Sequence, residues 1–172
     1  METHIITVLA EDKPGVLARM TTMFGRRGIN LVSVTASPSL KEGLSRLMLV
    51  IHGDDSDVEK MQKHLANLVE IVSIKTLDKD DIVRELCLIK IEEKDNITRM
   101  EILQMCSLFG AKIIDMSPET LTIEIVERPD AIDRFIANLK PFGMKEIYRS
   151  GMIATTRESE KVENTKFKKI LS

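Results

Sequence analysis

The sequence predicts an α+β protein built from two βαββαβ halves in tandem, and three observations carry that expectation. Short β-branched, apolar runs alternate with segments whose apolar residues recur at helical spacing. The order strand, helix, strand, strand, helix, strand is completed twice, with a period of roughly eighty residues, a usual size for one small domain. The halves also echo each other in detail. Met23-Phe24-Gly25 ahead of a strand matches Leu108-Phe109-Gly110, and Ser37-Pro38 matches Ser117-Pro118.

In the first half, Ile5-Ile6-Thr7-Val8-Leu9-Ala10 has the composition of a buried strand, expected over about residues 3–11. Pro14 suits a first helical turn, and Val16, Leu17, Met20, Met23 and Phe24 make one apolar stripe. A helix is therefore expected from Pro14 to about Arg27, stopped by Gly28. Asn30 to Ser37 follows as a strand, with Val32, Val34 and Ala36 on one face and Leu31, Ser33 and Thr35 on the other. Residues 37–43 form a hairpin loop, and Leu47 to Ile51 alternate in a strand ending near Gly53. Asp54, Asp55 and Ser56 offer caps for a helix striped by Val58, Met61, Leu65 and Leu68, and Val69 to Leu77 closes the half.

A polar linker at 78–83 precedes the second half. Leu86 to Ile91 reads as a strand, and Ile97, Met100, Leu103 and the Leu108-Phe109 end belong to a helix. Ile113 to Ser117 and Leu121 to Val126 are strands around a turn at Pro118-Glu119. Ile132, Phe135, Ile136 and Leu139 stripe another helix, and Met144 to Ala154 returns as a strand. Each half is thereby a ferredoxin-like arrangement, one sheet covered on one face by two helices. Domains are expected at 1–77 and 84–157, with residues 158–172 a polar tail of mixed charge.

Composition narrows the function. The 172 residues are 43% hydrophobic and 30% charged with a formal net charge of −2, a folded protein with no global basic field for nucleic acid. Cys87 and Cys106 sit in apolar surroundings without CxxC spacing, as buried structural thiols in a reducing compartment would. No run reaches the length of a membrane span and no basic, apolar leader opens the chain, so a cytoplasmic location without a membrane partner is expected. His4, His52 and His64 lack metal-ligand spacing, and the neighbours Glu92 and Glu93 would point to opposite strand faces. No Ser or Cys has a recognisable base, and no Gly-rich phosphate loop is present, so neither catalytic nor metal residues are assigned. The ten methionines fall largely on core stripes.

The most informative stretch is Asp12-Lys13-Pro14-Gly15-Val16-Leu17-Ala18-Arg19, with Gly28-Ile29-Asn30 closing the same unit. Strand, tight turn and helix N-terminus present unpaired backbone N–H groups and the positive end of a helix dipole, a seat for a carboxylate. The second half has Glu93-Lys94-Asp95-Asn96 at this place, with neither Pro nor Gly, and passes from Gly110 to Ala111-Lys112-Ile113. A turn needed only for folding would be needed twice. The asymmetry points to a ligand site in the N-terminal half.

Glu11-Asp12-Lys13-Pro14-Gly15-Val16-Leu17 followed by Arg27-Gly28-Ile29-Asn30 resembles the ACT domain, a sensing module that typically binds amino acids. With Leu44-Ser45-Arg46-Leu47, the run Arg84 to Ile91, the run Ile113 to Pro118 and Arg149-Ser150-Gly151, the resemblance is to one family. That family is the regulatory small subunit of acetolactate synthase, also called acetohydroxyacid synthase, and the likeness covers about residues 3–157. It implies a non-catalytic chain that binds a branched-chain amino acid, valine foremost, as a homodimer. Such a chain confers activation and feedback inhibition on a catalytic large subunit in branched-chain amino-acid biosynthesis. Thiamine diphosphate, magnesium and FAD are implied on that catalytic partner, and no cofactor on this chain.

In that family the effector lies between the first turn of one chain and strand two of its dimer partner. Carried over by motif, the effector-binding set is Asp12, Pro14, Gly15, Val16, Leu17, Asn30 and Leu31. Gly15 and neighbouring N–H groups would hold the carboxylate, and Asn30 would meet the effector's polar groups. The family commonly has Asn where this chain has Asp12, whose carboxylate either pairs with the effector's ammonium or caps the helix. The second half would tune or transmit the effect. The alternative is a free-standing ACT-type amino-acid sensor or co-regulator, which a helix-turn-helix or a basic stripe would support; the sequence has neither. An RNA-binding module shares the βαββαβ order but needs aromatics on its central strands. Here Phe24, Phe109, Phe135 and Phe142 lie on or beside helices.

Overall fold

The computed structural model describes residues 2–78, 80–92 and 95–157. The polar tail at 158–172 and Glu93-Lys94 of the second turn lie outside the described residues. The chain divides into two compact units, one running to Ile82 and joined by the described residues from Ala154, the other Val83–Ile153. No helix among the described residues is long and apolar enough to cross a membrane.

The first unit comprises β1 (Glu2–Glu11), α1 (Val16–Gly25), β2 (Leu31–Pro38), β3 (Leu44–Gly53), α2 (Asp55–Leu65) and β4 (Ile71–Leu77). Its sheet has the order β2-β3-β1-β4 with antiparallel neighbours, so the connections through α1 and α2 each step over one strand. Ile6, Val8 and Ala10 of β1 and Leu47, Leu49 and Ile51 of β3 meet Val16, Met20 and Phe24 of α1 and Val58, Met61 and Leu65 of α2. A side chain the size of Phe24, fully buried, contributes about 1.5–3 kcal/mol. Thr7, Met48 and Val50 on the opposite sheet face are buried as well, which is why β1 and β3 read as apolar runs rather than strict alternations.

Four expectations for this unit are corrected. The helix begins at Val16, not Pro14, because Gly15 has φ +85°, a left-handed conformation that no helical turn can include, and it ends at Gly25 rather than Arg27. Leu17 leaves the apolar stripe: it is 41% exposed while Val16, Met20 and Phe24 are buried. In β2 the register slips between Leu31 and Ser33, so Val32 bulges outward and Leu31 shares the core-facing side with Val34. Val69 is fully outside β4, which starts at Ile71.

The second unit comprises β5 (Ile82–Glu92), α3 (Asn96–Phe109), β6 (Lys112–Met116), β7 (Thr120–Glu127), α4 (Pro129–Leu139), a 3-10 turn at Lys140–Phe142 and β8 (Met144–Thr155), with the sheet order β6-β7-β5-β8. The topology repeats that of the first unit. Ile82 and Val83, expected in the linker, already belong to β5. The core joins Cys87, Ile89 and Ile91 of β5, Leu121, Ile123 and Ile125 of β7 and Ile132, Phe135 and Leu139 of α4, with the Phe109 and Phe135 rings 5.1 Å apart. α3 contains the residues expected in that helix, and packing on the sheet selects which of them are buried. Ile102 and Cys106 face the core with Met105 and Phe109 beside them, while Ile97, Met100 and Leu108 are 75%, 58% and 83% exposed. Ile113 pairs with Ile123 and Asp115 with Thr122, so Ile114 bulges at the place where Val32 does.

Candidate functional site

β1 delivers the chain to a turn braced by backbone bonds. Asp12 N–H donates to the Gly43 carbonyl at 2.8 Å, Lys13 N–H to Glu11 at 3.0 Å and Glu11 N–H to Glu70 at 2.9 Å. Lys13 Nζ lies 2.7 Å from Glu11 Oε2, and that hydrogen bond raises the Lys13 pKa above its ordinary value. Gly15 then turns left-handed, and α1 starts without a side-chain cap. Val16 N–H reaches the Lys13 carbonyl at 3.3 Å and Arg19 N–H the Gly15 carbonyl at 3.0 Å, but among the described residues no acceptor meets the N–H groups of Leu17 and Ala18. Two donors at the positive end of a helix are thus left for an outside acceptor.

The second unit treats the same place differently. The side chain of Asp95 caps α3, accepting from Ile97 N–H at 2.9 Å and Thr98 N–H at 2.8 Å. The Thr98 backbone and hydroxyl bonds hold the Asp95 carboxyl below its usual pKa. One helix N-terminus is therefore filled by its own carboxylate and the other is not. The sequence signal was the Asp95-Asn96 pair at a helix start, a capping residue in plain view, which a comparison limited to Pro and Gly passes over.

The structure brings part of the expected set together. Asp12, Pro14, Gly15, Val16 and Leu17 lie in the turn and first helical turn, with Asp12, Pro14, Gly15 and Leu17 exposed and Val16 buried in the core. Asp12 does not cap α1; Gly15 occupies the cap position. A half-exposed Leu17 beside the open N–H groups offers apolar contact there. Arg19 borders the turn as well: Nη1 would lie 3.7 Å from a Cβ added at Gly15, and its guanidinium is paired with Glu70.

Asn30 and Leu31 are elsewhere. Leu31 pairs with Ile51, which pairs with His4 at the start of β1, whereas the turn follows Glu11 at the other end of that strand. At about 3.3 Å per residue the two places are roughly 20 Å or more apart along the sheet. Within one chain the two halves of the set do not meet.

Two segments singled out by resemblance meet instead in a structural ion pair. Glu85 on β5 is buried, and the Arg149 guanidinium on β8 donates to both of its oxygens, Nε–Oε1 at 3.0 Å, while Nη1 reaches Asp133 of α4 at 2.6 Å. Glu85 and Asp133 hold the Arg149 pKa above its ordinary value. Nothing in the sequence pairs residues so far apart. His4 Nδ1 lies 4.0 Å from Asp55, and among the described residues no three His, Cys, Asp or Glu side chains are grouped to hold a metal ion.

Comparison with known proteins places these features in a group. Residues 6–73 match the family described as AHAS small subunit-like ACT domain, and residues 84–158 match the small subunit of acetolactate synthase. An acetolactate synthase small subunit of Mycolicibacterium smegmatis is 39% identical over 156 residues, covering 90% of this chain and 91% of that one. Its counterpart in Aquifex aeolicus is 37% identical over 156 residues, 90% of this chain and 81% of that protein. The crystal structure of the Thermotoga maritima acetolactate synthase small subunit superposes with a TM-score of 0.85 at 35% identity, covering 92% of this chain and 99% of that one.

Proposed function

This chain belongs to the acetolactate synthase small-subunit family, and on that footing we propose that it is a regulatory subunit whose N-terminal turn binds a branched-chain amino acid. The observation that carries the reading is the open start of α1: Leu17 and Ala18 N–H groups without acceptors among the described residues, against an α3 start already filled by Asp95. The effector's carboxylate accepts from those N–H groups, the Asp12 carboxylate pairs with its ammonium, and Leu17 packs on its aliphatic side chain. Valine fits that size and polarity.

The remaining contacts come from a second copy. β2 is an edge strand of its sheet. Antiparallel pairing of two β2 edges would carry the partner's Asn30-Leu31 to the level of Pro38, which neighbours Ser45 and, through it, Ala10 beside the turn. The separation found within one chain is then what a shared site requires. Effector binding alters the activity of a catalytic large subunit, and the coupling free energy sets the depth of feedback inhibition.

Calorimetry of the purified chain with valine, leucine and isoleucine tests this, alongside activity of the reconstituted complex against valine concentration. Gly15→Asp sets a negative charge where the carboxylate docks, and Asp tolerates the left-handed backbone better than most residues. It should weaken binding by about 2–3 kcal/mol, roughly a hundredfold, and remove the inhibition. Gly15→Asn, isosteric and neutral, should retain most of both. Wild-type inhibition in the Gly15→Asp complex places the effector elsewhere.

A further inference from the structure

The turn ahead of α1 has two cations beside it, and the fold uses them differently. Lys13 Nζ is engaged by Glu11, and its side chain is 65% exposed. Arg19, one helical turn past Gly15, lays its side chain back toward the turn, the direction in which helical side chains lean. Its Nη2 donates to Glu70 Oε1, while Nη1 lies 3.7 Å from the place a Gly15 Cβ would take. Among the described residues Nη1 meets no acceptor. One nitrogen of the guanidinium is thus tied down, and the other is open beside bare backbone.

Glu70 is itself well fixed. It precedes Ile71 at the start of β4, its carbonyl accepts from Glu11 N–H at 2.9 Å, and its side chain is 23% exposed. The backbone bond ties Glu70 to the end of β1, and the ion pair ties α1 to the same point. An arginine free in solvent loses side-chain entropy on meeting a ligand; this one has lost much of it on folding. Around the turn the acidic groups Glu11, Asp12 and Glu70 outnumber Lys13 and Arg19. An anion is therefore drawn in only where a cation faces it directly.

We infer that Arg19 is a further effector-contacting residue. A carboxylate has two oxygens: the open N–H groups of Leu17 and Ala18 serve one, and Arg19 Nη1 donates to the other. Glu70 is the positioning residue, holding the guanidinium beside Gly15 and moderating its charge. The inference rests on the reading of this turn as an effector site, and it adds the cation that makes the site select a carboxylate.

Calorimetry with valine on the full chain tests it through the sign of two effects. Arg19→Met keeps the stem and removes the donor, and should weaken binding by roughly ten- to hundredfold, the worth of a bond to a charged group. Glu70→Gln keeps an oxygen for Nη2 and removes the opposing charge, and should tighten binding by about two- to fivefold. Both variants break the same ion pair, so a purely structural role predicts weaker binding in both. Thermal unfolding by circular dichroism establishes that each variant is folded at the binding temperature. An Arg19→Met affinity within about twofold of wild type, or Glu70→Gln binding no tighter than wild type, would overturn the inference. Glu70→Gln decides the matter alone if Arg19→Met does not fold. A wild-type chain that takes up no valine, leucine or isoleucine refutes the effector reading itself, and this inference with it, before either variant is compared.

Discussion

Removing the guanidinium of Arg149 strands the carboxylate it serves. Glu85 is 4% exposed, and both of its oxygens accept from Arg149. Arg149→Met keeps much of the stem and volume but supplies no cation. Breaking a buried pair from one side costs about 3–5 kcal/mol. Because the Arg149 side chain is 34% exposed, water screens part of the attraction, and the lower end, about 3 kcal/mol, applies. At a urea slope of about 1 kcal/mol per M for a unit of this size, the midpoint should fall by roughly 3 M. The assay is built in: Tyr148 is the chain's one tyrosine, there is no tryptophan, and it lies on β8 next to Arg149. Tyrosine fluorescence in urea therefore follows this unit alone. Glu85→Leu/Arg149→Met removes both charges and should recover most of the loss, since apolar replacement of a buried pair is often near neutral. A double variant as unstable as Arg149→Met, or a single-variant midpoint within about 0.5 M of wild type, would refute the reasoning.

In the first unit, the stripe of α1 separates packing from binding. Met20→Ala, at a fully buried position, should cost about 2–5 kcal/mol in thermal or urea unfolding. Leu17→Ala should cost under about 1 kcal/mol yet weaken valine binding in calorimetry, and equal losses of stability would show that Leu17 is a core residue after all. The Asp95 cap predicts a pH dependence. Its folded carboxyl is depressed by the Thr98 bonds, so the stability it adds is present above the ordinary Asp pKa near about 3.9 and is lost as pH falls through the lower folded value. Urea midpoints measured from pH 5 downward should show that loss in wild type and lack this component in Asp95→Asn; parallel curves would remove the cap from the account.

The order of elements and their period were open to reading because each depends on near neighbours in the chain. The stripes of α2 and α4 are unambiguous, since Val58, Met61 and Leu65, or Ile132, Phe135 and Leu139, are set off by polar residues on the other faces. α3 is apolar on two faces, so periodicity cannot say which one meets the sheet. Ile102 and Cys106 won that place, and Ile97 and Met100 did not. The bulges at Val32 and Ile114 were equally hidden, because register belongs to a pair of strands and not to either alone.

The turn divides along the same line. Pro-Gly after a β-branched run, found in one half only, marked residues 12–17 from the sequence, because a glycine's tolerance of left-handed backbone is a property of one residue. Whether the helix start stays open was decided by which acceptors the folded chain brings to it, and the answer differs between Gly15 and Asp95. The separation of Asn30 from that turn is likewise a fact of sheet register alone. Local conformational preference is written residue by residue; which distant groups end up facing each other depends on strands pairing across the whole unit, and only the tertiary structure carries that.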